Sequence, residues 1–370
     1  MKLDKYITDR ARHFELIYRD IETEILIEIA KMINDNGITA SGQYKLERLN
    51  ELIGLDRNVI ETLSQITGKP MQEIISTMNT IGFGSIDFTM YRKAYEVGAI
   101  TKSIDHIILQ PYIDRTTETT YKLIKSVETK AKEQSFKQFR AVIDKATIEV
   151  NNGIKTPAQA MIDSVKQLNK QGIRSATYMS KDKEIHHQLE SVMLRTIRTE
   201  FIKVSNDTSH NVGIDLGVEH WYITQHLGAR DKGTGYENHA LWQGTVVTTE
   251  ELETVAGYGE ITGLGGINCR HRHYAHIPGV SVEPPPRIDL EENSRVYALT
   301  QKQRRLERDV RSAKREVLML QQFEQSIDDV AQAVKESKQE VRRRQAILKK
   351  FVDSNSELRR NYTNEKVIGY

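Results

Sequence analysis

Cysteine occurs once in 370 residues, which excludes an intramolecular disulfide framework and suits a reducing cytoplasm. Proline is sparse, at seven residues, which suits a helix-rich chain. No apolar run approaches the ~18 residues of a membrane span. The start, MKLDKYITDRARHFELIYRDIETEI, is charged every few residues and lacks a signal-peptide core. A formal net charge of +2 excludes no partner, because its distribution along the chain matters more. These absences predict a protein soluble where it is made, long enough for two or three domains.

What is present is helical over the first half. Ile17, Ile21, Ile25 and Ile29 recur at i+4, with Leu16 and Leu26 widening the face, and Asn36-Gly37 ends that helix. Two shorter pieces, YKLERLNELIG and DRNVIETLSQITG, each stop at a glycine. A long helix is expected from about Ser103 to Val150, broken near Pro111. Another is expected from Pro157 to Gly172 with Thr156 as N-cap, and a third over about Lys183 to Asn206.

Composition then changes. Seven of the eleven histidines (His210, His220, His226, His239, His271, His273 and His276) and both tryptophans fall between 210 and 276. VEHWYITQH and ALWQGTVVT have strand-like content, with glycine turns between them. EPPPR, at 283–287, reads as a stiff hinge. Beyond it Leu299, Leu306, Ala313, Leu320, Ile327, Val334, Val341 and Leu348 repeat every seventh residue. The companion row is interrupted by Gln303, Glu324, Lys338 and Gln345, a coiled-coil-type seam whose polar positions would set register. The fold expected is mainly α: a helical region at 1–205, a small α+β module with Gly/His-rich loops at 206–282, a Pro-rich hinge at 283–290 and a basic helical tail at 291–370.

The chemistry concentrates in GLGGINCRHRHYAHIPG, at 263–279. Cys269, His271 and His239 are the candidate zinc ligands, since zinc takes about four thiolate and imidazole donors. On one extended strand, donors two residues apart lie nearly ~7 Å from each other, too far to share an ion without a bend. The expectation is therefore no cofactor, with zinc as the alternative. A metal- or cysteine-dependent hydrolase centred on Cys269 and the histidines is the second alternative, although for cysteine chemistry His271 stands only two residues away while nucleophile and base are normally distant in sequence. From Lys302 to Lys350 there are fourteen Lys/Arg against eight Asp/Glu. Arg304, Arg305, Arg308, Arg311, Arg342, Arg343 and Arg344 are the candidates for sequence-independent contact with DNA phosphates.

The blocks HLGARDKGTGYENHALWQGTVV and GYGEITGLGGINCRHRHYAHIPGVS, in that order, resemble the phage minor capsid protein type 2 family, akin to the Mu F-like head morphogenesis proteins. The resemblance rests on His226, Gly228, Ala229, Arg230, His239, Trp242, Gln243, Gly244, Gly257, Tyr258, Gly259, Gly266, Asn268, Cys269, Arg270, His271, Pro278 and Gly279. It implies a structural head protein of the virion, at the portal or inner capsid. It implies portal or capsid proteins as partners and no catalytic residue; the residues themselves add self-association through the heptads, contact of the basic tail with duplex DNA, and no membrane partner. In that reading the glycines and Pro278 turn Asn268, Cys269, Arg270 and His271 against HALWQG. Together with His226, Arg230, His239, Trp242, Gln243 and Gly244 they form a clasp, in which Asn268, Arg270 and His271 supply donors and Cys269 is a small buried filler.

Overall fold

A computed structural model describes residues 2–36, 71–180 and 183–370. The pieces YKLERLNELIG and DRNVIETLSQITG lie outside the described residues. The chain is mainly helical, as its periodicity predicts. It divides into two compact units that do not follow chain order: Met1–Phe14, Pro70–Ile124 and Leu194–Thr300 form the first, and Glu15–Lys69, Lys125–Met193 and Gln301–Tyr370 the second. The histidine-rich module lies wholly in the first unit, whereas the heptad segment is divided after Thr300.

In the first unit, β3 (His220–Ile223) is the middle strand of an antiparallel sheet, between β4 (Val246–Thr248) and β5 (His273–Ala275). Strand alternation buries Trp221 and Ile223 and leaves His220 and Tyr222 half-exposed. Trp221 pairs in register with Val247 on one side and Ala275 on the other. Its indole lies against Gly213 of α6 (Leu189–Asp215), where a Cβ would fall 2.3 Å from the ring, so only glycine allows that approach. HALW is helical rather than extended: the Asn238 side chain accepts the Ala240 N–H and starts the short helix α7 (His239–Trp242). Thr248 and Glu251 then form a capping box for α8 (Thr249–Thr254).

In the second unit, α1 (Lys2–Asn36) from Glu15 onward buries Ile21, Ile25 and Ile29 of the predicted row and Ile33 beyond it, while Ile17 is half-buried. α5 (Pro157–Gln171) has the expected Thr156 cap, the Pro157 start and Gly172 at its end, with φ 61°. The break expected near Pro111 is instead a helix start. α4 (Gln110–Asn151) carries that proline in its first turn, where a missing N–H costs nothing. The helix expected from Lys183 begins as a strand: β1 (Arg174–Ser180) and β2 (Lys183–Gln188) pair antiparallel, and α6 starts only at Leu189. RSATYMS and KEIHHQ have no 3.6-residue apolar repeat to hold a helical face, so pairing decides their conformation.

The heptad segment forms two helices, α9 (Leu290–Leu320) and α10 (Asp328–Asp353). The Gln325 amide donates to the carbonyls of Leu320 (3.2 Å) and Phe323 (2.7 Å), and Asp328 and Asp329 occupy the first turn of α10. The two helices run antiparallel in the second unit. Lys302 lies over Phe351, the Arg344 guanidinium donates to the Asp309 carbonyl, and Ser337 donates to Glu316. Ala313, Val317 and Val341 pack between them, so the seam closes within the chain. Of the polar heptad positions, Gln303 is buried and donates to the Arg359 carbonyl (2.9 Å), while Glu324 lies in the turn.

Charge is also buried in this unit. The Glu22 carboxylate accepts the N–H groups of Glu190 (2.7 Å) and Ile173 (3.1 Å), with Arg315 at 3.5 Å. Glu190 pairs with Arg311 and Arg19. Burial raises the Glu22 carboxyl above its usual range although Arg315 opposes the shift. At Glu190 burial acts in the same upward direction, but Arg311, Arg19 and Arg315 outweigh it and hold the carboxyl down. Removing one member leaves uncompensated charge, so Glu22→Ala is expected to lower the unfolding free energy by about 3–5 kcal/mol in denaturant titration. A loss below ~1 kcal/mol would mean that these ions are hydrated.

Candidate functional site

The site lies in the first unit, where α7 and the loop into β5 meet. Asn268 adopts φ 60°, alone among non-glycine described residues in having positive φ. An αL turn at this point reverses the chain before Cys269, so residues 269–272 are irregular and β5 begins only at His273. Donors two residues apart therefore converge here instead of standing ~7 Å apart as on a straight strand, with Cys269 Sγ 3.5 Å from His271 Nδ1. His239, Cys269 and His271 each offer one ligand atom within 4.8 Å of the other two, and all three are buried.

Acceptor-only oxygens decide the protonation of both imidazoles. His271 Nε2 lies 3.2 Å from the Gln243 side-chain carbonyl, which also accepts the His226 backbone N–H at 3.0 Å. The Gln243 amide nitrogen donates onward to Asn293 (3.4 Å), which sets the amide orientation. Nε2 of His271 must then carry the proton, and Nδ1, beside the thiol, is its lone-pair nitrogen. His239 Nε2 likewise donates to the Thr262 carbonyl at 2.9 Å, leaving Nδ1 as its lone pair. Burial holds His271 well below the ordinary imidazole range and lowers His239 to about 4, so both rings are neutral. Burial also pushes the Cys269 thiol up to about 11.

The other clasp residues divide into walls and fasteners. Trp242 packs edge-on against His271 at 4.9 Å and donates from its indole N–H to the Tyr236 carbonyl. His226 stacks on His271, with centroids 4.5 Å apart and planes 18° from parallel. Gly244, at φ 72°, makes the turn after α7. The Arg230 guanidinium donates to the carbonyls of Thr262 and Ile267, tying down the glycine loop. The Arg270 side chain is exposed. Asn268 contributes its backbone: its conformation makes the turn, and its N–H donates to Thr199. His271 reaches the α7 segment through its side chain, at Gln243.

Three contributors escaped sequence reasoning. Asn206 clamps the loop from α6, donating to the His271 carbonyl and accepting the His273 N–H. Asn293, in the first turn of α9, exchanges bonds with both backbone groups of Ala229. Gln225 donates to the Pro286 carbonyl and accepts the Ile288 N–H, so the proline hinge is pinned to the module. Asparagine and glutamine have no periodicity by which to be found, and placing a boundary at 283–290 separated Asn293 and Pro286 from the module they complete. Of the candidate DNA arginines, Arg305, Arg308 and Arg342 are exposed and Arg304 is half-buried. Arg343 and Arg344 share Glu340, whose carboxyl their hydrogen bonds hold at about 2. Arg311 is buried against Glu190, out of reach of DNA phosphates.

The profile of a family described as phage minor capsid protein 2 matches residues 3–353. A structural protein of Lactococcus phage LL-H is 28% identical over 248 residues, covering 63% of this chain and 62% of that protein. A structural protein of Lactococcus phage mv4 is 33% identical over 113 residues, covering 30% of this chain and 86% of that one. No solved structure matches.

The Gln243 amide is the fastener on which the others converge. Gln243→Leu keeps the approximate volume but strands the His226 N–H and the His271 Nε2–H, at about 1–3 kcal/mol each. Thermal and denaturant unfolding should show a loss of about 2–6 kcal/mol. A neutral result would show that these donors find other partners.

Proposed function

The chain belongs to the phage minor capsid protein 2 family, and from that premise we propose that it is built into the virion head, at the portal or on the inner capsid surface. The match of the family across residues 3–353 carries this reading, and that both relatives are phage structural proteins agrees with it. Its partners in this reading are portal and capsid proteins. No helix among the described residues is long and apolar enough to cross a membrane.

The site supports a structural role over the hydrolase alternative. A nucleophilic cysteine needs access and thiolate character. Cys269 is fully buried, and its thiol lies above the ordinary range because burial disfavours the anion. The neutral imidazoles around it are held by Gln243 and Thr262, an arrangement that fixes a loop. Docking on other virion proteins falls to exposed surfaces, because the heptad rows of α9 and α10 are used against each other.

Mass spectrometry of purified virions should find the chain at a fixed, low stoichiometry. Its absence from virions, with presence only in the infected-cell lysate, would overturn the reading. For DNA, the proposal narrows to Arg305, Arg308 and Arg342, with Arg343 and Arg344 beside them. Deleting the tail would be a poor test, since Arg311 and Arg315 are buried against Glu190 and Glu22. Replacing Arg305, Arg308 and Arg342 by alanine should make the slope of log binding constant against log salt shallower by about 2–3 on duplex DNA. An unchanged slope would remove these residues from the contact.

A further inference from the structure

The triad His239, Cys269 and His271 has a feature that a hydrogen-bonded clasp does not need. Both imidazoles spend their Nε2 proton on an oxygen that can only accept, Gln243 Oε1 for His271 and the Thr262 carbonyl for His239. Each ring is thereby fixed with a bare Nδ1 lone pair. A metal-binding histidine is commonly held in this way, its second nitrogen donating to a carbonyl or carboxylate that fixes tautomer and orientation. The third donor is the sulfur of Cys269, which lies 3.5 Å from His271 Nδ1. With Zn–S near ~2.3 Å and Zn–N near ~2.05 Å, the tetrahedral S···N edge is about 3.6 Å. One donor atom from each residue lies within 4.8 Å of the others, so closing the set takes a movement of about 1 Å.

We propose that His239, Cys269 and His271 bind one zinc ion, which fastens the glycine loop before Cys269 to the helix α7. Two imidazoles and a thiolate suit a borderline-soft d10 ion, which imposes no geometry of its own. His226 does not join them: a ligating imidazole holds the metal in its own ring plane, and the His226 plane is stacked 18° from parallel above that of His271. The fourth tetrahedral position therefore falls to a non-protein ligand such as water. Binding exchanges the Cys269 S–H bond for a Zn–S bond and releases one proton to solvent, with no change of oxidation state. The ion's role is to hold the loop, since His239, Cys269 and His271 are at most 2% exposed and no substrate reaches them.

A thiol donating to His271 Nδ1 would give the same separation without a metal, and two measurements on the full-length protein distinguish these states. Protein purified without chelator should carry ~1 zinc per chain by elemental analysis. Cys269→Ser and His271→Ala should bind zinc at least ~10-fold more weakly, while His226→Ala keeps it. Chelator-stripped wild type titrated with cobalt(II) should develop a thiolate-to-cobalt charge-transfer band. Cys269 is the only cysteine of the chain, so that band reports on it alone and requires no variant to fold. Absence of the band, or zinc retained undiminished by Cys269→Ser, would overturn the proposal.

Discussion

The first unit depends on one side-chain amide. Gln243 accepts the His226 N–H and the His271 imidazole on its carbonyl, and gives its own N–H to Asn293, which in turn holds Ala229. Because an amide oxygen cannot donate, this bond determines where the His271 proton sits and which nitrogen faces the thiol. The loop before α7, the loop before β5 and the first turn of α9 are thus oriented by polar groups in a dry interior, where an unmade bond costs more than a made one returns.

The second unit solves a different problem with charge. Glu22 and Glu190 sit among Arg19, Arg311 and Arg315, in surroundings where isolated ions are costly and only mutual neutralisation makes them tolerable. The arrangement constrains how α9 seats, since its arginines must meet those carboxylates. It also explains why counting Lys/Arg along the tail overstates the charge available to an outside partner: Arg311 is spent internally, and Arg343 and Arg344 share Glu340. Formal charge belongs to the sequence, but solvated charge belongs to the fold.

Both units carry the same functional implication. A chain whose unusual residues are used to brace loops and seat helices suits a component of an assembly, and the family match across residues 3–353 accords with that. A zinc ion at His239, Cys269 and His271 would extend this bracing, adding a cross-link where the chain has no second cysteine with which to make one.

The sequence by itself determined much of the local structure. The isoleucine row of α1, the Thr156–Pro157 start and Gly172 end of α5, and the strand content around Trp221 and Val247 were legible because a few neighbouring residues decide backbone dihedrals and amphipathic faces. The ordered Gly/His blocks carried the family resemblance in the same way. Tertiary structure alone decided the rest. The β1–β2 hairpin, the folding of one heptad run into two antiparallel helices and the assignment of discontinuous segments to each unit depend on which distant segments pair. The meeting of His239 with Cys269 and His271 depends on the path of the chain over residues 240–268 and on one αL turn at Asn268. Spacing within a motif cannot supply that path, because donor convergence is a property of three-dimensional distance.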